Sequence, residues 1–320
     1  MTNQLSKKKL RVAVLMGGPS GEREVSLSSG KEVVKALEAS GKFDVLPFEV
    51  TKDGKLPPMS NIGVAFIAMH GKGGEDGTIQ SLLELAGIPY TGSGVLASAL
   101  GMDKVRSLAL FRDAGLKVPE YEVIRDKRQE TRIKFPVVTK PNFHGSSLGV
   151  SICRNGSELK KGIALAKKYD KDVIVQQFIE GVELTCAVLG NENPKALSVV
   201  EIIAKKGDFY DYASKYDEGG SDHIIPAIIP KEVEKQVKAW AIKAHQVVGC
   251  RGFSRTDFMY GSPHSVPRSG TSRGQNLYVL EINTIPGLTP TSLFPDAARA
   301  AGYEFSELIE KLLHLALQNR

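Results

Sequence analysis

Leu280-Glu281-Ile282-Asn283-Thr284-Ile285-Pro286-Gly287, near the C-terminus, is the stretch on which the fold reading turns. Tyr278 to Ile282 alternates with apolar residues, so a strand of period two sends Glu281 and Asn283 out of one face. Pro286 and Gly287 end that strand, because Pro cannot donate to a sheet ladder and Gly tolerates turn dihedrals. Upstream, Arg255-Thr256-Asp257-Phe258-Met259-Tyr260 is a second short alternating run. Pairing the two strands would set Asp257 beside Glu281 and Asn283. Two carboxylates and an amide suit Mg²⁺, a hard cation that prefers oxygen and completes its shell with waters and phosphates. The same pattern also describes a polar strand face turned to solvent.

Around that stretch the composition is that of an ordinary soluble globular protein, 42% hydrophobic and 24% charged. A chain of 320 residues has room for two or three domains. No run approaches the roughly 18 apolar residues of a membrane span. Lys7 to Lys9 precede an apolar run, Val12 to Met16, that stops at Gly17 with no small-residue cleavage site after it, so a buried first strand is expected rather than a leader. Cys153, Cys186 and Cys250 are odd in number and widely spaced, which fits reduced core thiols and a cytoplasmic location. The charge of +6 is compatible with phosphate-bearing ligands. No basic stripe interleaved with aromatics is present, so neither nucleic acid nor membrane is expected as a partner.

Taken in order, Arg11 to Met16 reads as a strand, Gly17 to Ser26 as a glycine-rich turn, and Lys31 to Leu37 as a helix closed by Gly41. Val45 to Val50 and Ile62 to Met69 are further strands, so the opening third is a βαβ-type unit whose loops gather at one sheet edge. The Gly17 loop is not the G-x-G-x-x-G fingerprint. A carboxylate there, Glu22 or Glu24, suits a cationic group, and the alternative is a first-turn acid favouring the helix dipole. His70-Gly71-Lys72-Gly73-Gly74-Glu75-Asp76-Gly77 reads as a loop with solvated acids rather than a metal site. Ser93 to Leu110 has the spacing of one longer helix. Lys140 ends a strand and leads into Pro141 to Val150, a Gly/Ser loop able to wrap donors around phosphates, though not a Walker A loop. Val173 to Phe178 runs through Ile179 to Glu183 and a following strand, a hinge suited to an adenine. Lys205 to His223 reads as a lid. Trp240 lies on the apolar stripe of a helix and His245 off it, where partial solvation is expected. Gly261 to Asn276 reads as a hairpin tip.

In this order and spacing the chain resembles the D-alanine–D-alanine ligases of the ATP-grasp superfamily over nearly its whole length. The resemblance is carried by Gly17 to Ser26, His70 to Gly77, Tyr90 to Gly94, Met102 to Ser107, Lys140 to Gly149, Phe209 to Tyr216, Arg255 to Asp257 and Glu281 to Leu293. It implies a three-domain α/β architecture, with a Rossmann-like parallel-sheet domain at residues 1–92 and two α+β ATP-grasp subdomains at 93–175 and 176–320. It also implies a reaction. ATP phosphorylates the carboxylate of one D-alanine, and the amine of a second attacks the acyl phosphate, giving D-alanyl-D-alanine for peptidoglycan precursors.

The residue roles implied by the resemblance follow. Lys104, Lys140, Ser147, Phe209 and Lys215 attend the nucleotide phosphates and lid, Gln176, Phe178 and Ile179 the adenine, and Glu183 the ribose. Asp257, Glu281 and Asn283 hold two Mg²⁺, for which Mn²⁺ substitutes. Arg255 and Gly287 stabilise the tetrahedral intermediate. Glu22 and His70 bind the first substrate, and Ser292 and Leu293 the carboxylate of the second. Glu22, Ser146 and Tyr216 form a triad, and Tyr216 favours dipeptide over the D-lactate ester. A homodimer is implied. Gln176 departs from the family, which often carries an acid there, and the Gly261 to Asn276 segment is longer than expected. The competing readings are an ATP-grasp ligase with another acceptor and a nucleotide-binding regulator without catalysis.

Overall fold

Val12 to Leu15 have no solvent exposure at all, as befits a parallel strand covered on both faces. They belong to β1 (Leu10–Gly17), the middle of a parallel three-stranded sheet ordered β2 (Phe43–Val50), β1, β3 (Val64–Ile67). The computed structural model describes residues 9–56, 58–125, 130–204, 221–261 and 276–318. After β1 the chain turns through Gly17 and Gly18 into α1 (Arg23–Ser40), which Gly41 ends with φ +65°, a left-handed cap that Gly adopts without a Cβ penalty. α2 (Thr78–Leu85) follows the His70 loop.

The single helix expected from Ser93 to Leu110 is in fact two. α3 (Val95–Met102) stops at Asp103, which is extended, and α4 (Lys104–Asp113) restarts from it. The Asp103 carboxylate accepts the Arg106 N–H at 3.1 Å, an N-cap in mid-segment that apolar spacing alone does not reveal.

A second, antiparallel sheet runs β4 (Tyr121–Ile124), β7 (Val173–Gln177), β5 (Val137–Pro141), β6 (Ser151–Cys153). α5 (Gly156–Ala166) covers one face, closing a small core that includes Ile124, Val137, Leu159 and Val175. The other face, carrying Lys140 and Gln176, looks into a cleft.

Opposite lies a five-stranded antiparallel sheet, ordered β10 (Ser221–Ile224), β9 (Lys195–Ala204), β8 (Gly181–Leu189), β11 (Phe253–Gly261), β12 (Leu277–Asn283). Its alternation divides two cores. Leu184, Cys186, Phe258 and Val279 pack with α3, α4 and α6 (Lys231–Val248). Ala187, Leu189, Val200 and Phe253 share a core with α7 (Leu293–Ala300), α8 (Phe305–Leu317) and the parallel sheet. His245, expected to be partly solvated, is 1% exposed and places Nδ1 2.8 Å from Ser254 Oγ. Trp240 only borders its core. All three cysteines are buried and free. Among the described residues no helix is long and apolar enough to cross a membrane.

Candidate active site

The pairing expected of the two C-terminal strands is present. Asp257 on β11 is the register partner of Glu281 on β12, and Arg255 of Asn283. Directly opposed residues share a face, so all four side chains stand on the cleft side. The rows extend onto β8, where Thr185 faces Asp257 and Glu183 faces Met259. A register shift follows Asp257, because Phe258 pairs with Val279 rather than Leu280. This bulge turns Leu280 as well as Glu281 into the cleft.

Two connected compartments result. The larger is walled by Val138, Lys140, Gln176 and Ile152 from the second sheet and by Glu183, Asp257, Met259 and Leu280 from the five-stranded one. The smaller gathers Glu22, His70, Glu75, Ser146, Arg255, Asn283, Gly287, Ser292 and Leu293. Glu281 and Gly145 line both.

Charge is concentrated where the compartments meet. Arg255 grips Asp257 in a fork, Nε to Oδ1 and Nη2 to Oδ2, both at 2.9 Å, and the Thr185 hydroxyl donates to Oδ1 at 2.6 Å. Lys104 Nζ lies 3.3 Å from Glu281 Oε2 and donates to the His144 carbonyl at 2.7 Å. The Asn283 amide oxygen accepts the Ile285 N–H at 2.8 Å, which fixes its aim. Among the described residues no group of three or more His, Cys, Asp or Glu is placed to hold a metal alone. Asp257, Glu281 and Asn283 offer two carboxylates and an amide oxygen, a donor set compatible with Mg²⁺ that completes its shell with waters and substrate phosphates. Lys104 and Lys140, both under a tenth exposed, line the larger compartment as cations suited to phosphates, and Nε2 of Gln176 is buried with no hydrogen-bond partner among the described residues.

The Gly/Ser loop joins β5 to β6 as a hairpin. Ser146 and Ser147 hold φ of +53° and +56°, a left-handed pair costing about 1 kcal/mol or more each and typical of ligand clamps. The Ser146 hydroxyl is thereby delivered to the Glu22 carboxylate. Glu22 occupies the N-cap position of α1 without capping it, so its side chain is spent across the cleft instead. Asn142 anchors the loop, donating to Asp103 at 3.0 Å and accepting the Val105 N–H at 2.9 Å.

Contrary to the solvated loop expected, His70 is 4% and Glu75 9% exposed. His70 Nδ1 lies 3.4 Å from Glu75 Oε1 and Nε2 lies 3.1 Å from Ser29 Oγ, which accepts the Leu288 N–H. Burial holds the Glu75 carboxyl above its ordinary range, and the Glu22 charge pushes the same way against His70. At the N-terminus of α7, Ser292 Oγ accepts the Thr289 N–H at 3.0 Å and meets Thr289 Oγ1 at 2.7 Å.

Of the residues named from sequence, Glu22, His70, Arg255, Asn283, Gly287, Ser292, Leu293 and Ser146 share the smaller compartment. Lys104, Lys140, Ser147, Gln176, Phe178, Ile179, Glu183 and Asp257 share the larger. Phe209, Lys215 and Tyr216 lie outside the described residues, as does most of Gly261 to Asn276. Sequence reasoning missed Glu75, Thr185 and the apolar walls Val138, Ile152, Met259 and Leu280. Only Met259 carried a signal, sharing the alternating face of Arg255 and Asp257.

Residues 11–61 and 55–93 match the family model for the D-ala D-ala ligase N-terminus, and residues 109–314 that for the D-ala D-ala ligase C-terminus. A curated D-alanine–D-alanine ligase from Desulforudis audaxviator is 47% identical, over 96% of this chain and 98% of its own. The solved D-alanine–D-alanine ligase of Coxiella burnetii superposes with TM-score 0.82 at 27% identity, covering 97% of this chain and 94% of that one. The VanG D-Ala:D-Ser ligase of Enterococcus faecalis gives TM-score 0.81 at 32% identity, with coverage of 97% and 100%.

Proposed function

The chain belongs to the D-alanine–D-alanine ligase family, and from that premise we propose that it condenses two D-alanine molecules with ATP, through D-alanyl phosphate, to D-alanyl-D-alanine for peptidoglycan precursors. The observation that carries this reading is the placement of Glu281 in the wall of both compartments. A phosphate donor in one and a carboxylate in the other meet at Glu281.

ATP lies in the larger compartment, its base by Gln176, Phe178 and Ile179, its ribose by Glu183 and its phosphates by Lys104, Lys140 and Ser147. Asp257, Glu281 and Asn283 would hold Mg²⁺, or Mn²⁺ in its place, which when bound would supply charge neutralisation at the transferring phosphoryl group. Glu22, steadied by Ser146 and backed by His70 and Glu75, receives the ammonium of the first D-alanine. Its carboxylate oxygen then attacks the γ-phosphorus and ADP departs. Ser292 and the Leu293 N–H bind the carboxylate of the second D-alanine, whose neutral amine attacks the acyl carbon. Arg255 and the Gly287 N–H counter the oxyanion as it develops, and on its collapse the bond from the acyl carbon to the phosphate oxygen breaks, phosphate leaves, and the amine nitrogen gives its surplus proton to the departing phosphate. Lys215, Tyr216 and Phe209 complete this site from the lid. Residues 1–92, 93–175 and 176–320 serve as substrate domain, central subdomain and metal-bearing subdomain, and the reaction belongs in the cytoplasm. A homodimer is the expected assembly, supported by Leu82, Leu85 and Leu96, which are 46%, 87% and 72% exposed on α2 and α3.

The test is product analysis by mass after incubation with ATP, Mg²⁺ and D-alanine, L-alanine, or D-alanine with D-serine or D-lactate. Dipeptide from D-alanine alone, and none from L-alanine, is expected. Dominance of a mixed product would move the assignment to a ligase with another acceptor.

A further inference from the structure

Thr185 on β8 is the register partner of Asp257 on β11, yet it is 1% exposed and lines neither compartment. Its hydroxyl has a single proton to give. Asp257 Oδ1 lies at 2.6 Å and the Thr256 carbonyl oxygen at 3.3 Å, so the nearer, charged acceptor takes that proton. An ionised carboxylate has about four lone-pair positions, two on each oxygen. On Oδ1 both are taken, one by Thr185 Oγ1 and one by Arg255 Nε at 2.9 Å. On Oδ2 one is taken, by Arg255 Nη2 at 2.9 Å. The position left over is on Oδ2. Packing alone does not call for a hydroxyl here. Valine has nearly the same shape and the same β-branched preference for a strand, so what threonine adds is the proton on Oδ1.

We propose that Thr185 is a positioning residue for the divalent cation: together with Arg255 it occupies Oδ1 of Asp257, leaving Oδ2 as the single oxygen that this carboxylate gives the metal. The inference rests on the reading of Asp257 as a metal ligand and adds the residue that fixes its aim. Arg255 stands on the same strand as Asp257, two residues away, whereas Thr185 holds the carboxylate from the neighbouring strand. Donors on two strands fix the plane of the carboxylate where either one alone would let it turn. Mg²⁺ demands near-ideal octahedral geometry, so a ligand oriented in advance favours its binding. Hydrogen bonds behind metal-bound carboxylates are typically worth ten- to a hundredfold in metal affinity. Because Thr185 is shut off from both compartments, its influence passes through Asp257 rather than through contact with nucleotide or substrate.

The experiment is titration of the full-length protein and ADP with Mn²⁺, free Mn²⁺ being read by electron paramagnetic resonance against ADP alone. ADP affinity without metal is measured alongside by calorimetry. Thr185→Val and Thr185→Ala both lack the hydroxyl, Thr185→Ser keeps it, and Asp257→Asn serves as the reference. Thr185→Val and Thr185→Ala are expected to bind Mn²⁺ about tenfold more weakly than wild type, with Thr185→Ser within about twofold and metal-free ADP affinity within about twofold in all three. In an Asp257→Asn background the loss of the Thr185 hydroxyl should add nothing, because both act on one carboxylate. Wild-type Mn²⁺ affinity in the variants without the hydroxyl, beside a weakened Asp257→Asn, overturns the inference and leaves the metal reading standing. An equal loss in Thr185→Ser, an equal loss of metal-free ADP binding, or full additivity with Asp257→Asn also overturns it, because the effect would then be one of packing. Unchanged Mn²⁺ affinity in Asp257→Asn itself would remove the metal reading and the inference with it.

Discussion

Asp257 and Glu281 are cross-strand partners on β11 and β12, and this pairing sets Asp257, in the wall of the larger compartment, beside Glu281, which lines both. Asp257 is 8% exposed and held by Arg255 and Thr185, so its geometry is set before any ligand arrives. Neutralising either acid should therefore cost turnover rather than folding. Asp257→Asn and Glu281→Gln are each expected to lower kcat roughly a hundredfold or more, and to shift the Mg²⁺ requirement upward. Steady-state rates across a Mg²⁺ series check this, and a variant with unchanged rate and metal dependence would remove that acid from the site.

Arg255 stands two residues from Asp257 on the same strand face and grips it with two nitrogens. A lysine cannot make that planar fork. Arg255→Lys and Arg255→Ala should both lose on the order of a hundredfold in kcat while ATP affinity stays within a few fold. Equal loss of rate and of ATP binding would reassign Arg255 to nucleotide binding.

Gly71 has φ +66°, and a Cβ there would collide with the Ser20 hydroxyl and the Glu22 carboxylate. Gly71→Ala is thus a way to move Glu22 without altering its charge. The expected result is a rise of roughly tenfold in the KM for the first D-alanine, a stability loss of about 1–2 kcal/mol and little change in the KM for ATP. Chemical denaturation paired with two-substrate kinetics separates these effects. A uniform rise in every KM would point to general unfolding instead.

His245 gives a pH prediction away from the chemistry. Burial lowers its pKa from the ordinary 6.5 to about 4, because the interior disfavours the charged ring. The unfolded chain takes up this proton near pH 6.5 and the native state only near pH 4. Its contribution is thus fully present above about pH 6.5, is lost as pH falls toward 4, and amounts to about 3 kcal/mol at most. Urea unfolding from pH 7 to pH 4.5 should show that fall in wild type and less of it in His245→Asn. Parallel curves for the two proteins would show that His245 contributes none of the slope.

Much of the fold was legible because its signals are local. The β11 and β12 alternation, the glycine that ends α1 and the hairpin after Lys140 each follow from a few adjacent residues. Their convergence on one cleft was legible only through the order of motifs along the chain. What escaped depends on contacts distant in sequence. Glu75 looked like a solvated loop acid because nothing near it announces that its partner His70 is itself held in the interior by Ser29, which accepts the Leu288 N–H. Leu280 reads as a strand residue facing away from Glu281, until the register shift after Asp257 turns it inward. The break at Asp103 was hidden because the apolar spacing continues past it, and what fixes it is distant in sequence: Asn142 donates to the Asp103 carboxylate and accepts the Val105 N–H.

The central claim is that a carboxylate oxygen is transferred to phosphorus at this site, and oxygen labelling tests it most directly. D-alanine carrying ¹⁸O in both carboxyl oxygens is supplied with ATP and Mg²⁺, and the released phosphate is analysed by mass or by ³¹P NMR. Each phosphate should carry one ¹⁸O, with the other oxygen of that carboxyl retained in the new amide. Dipeptide formed with unlabelled phosphate would contradict the account, because the acyl group would then have been activated by some route other than its phosphate.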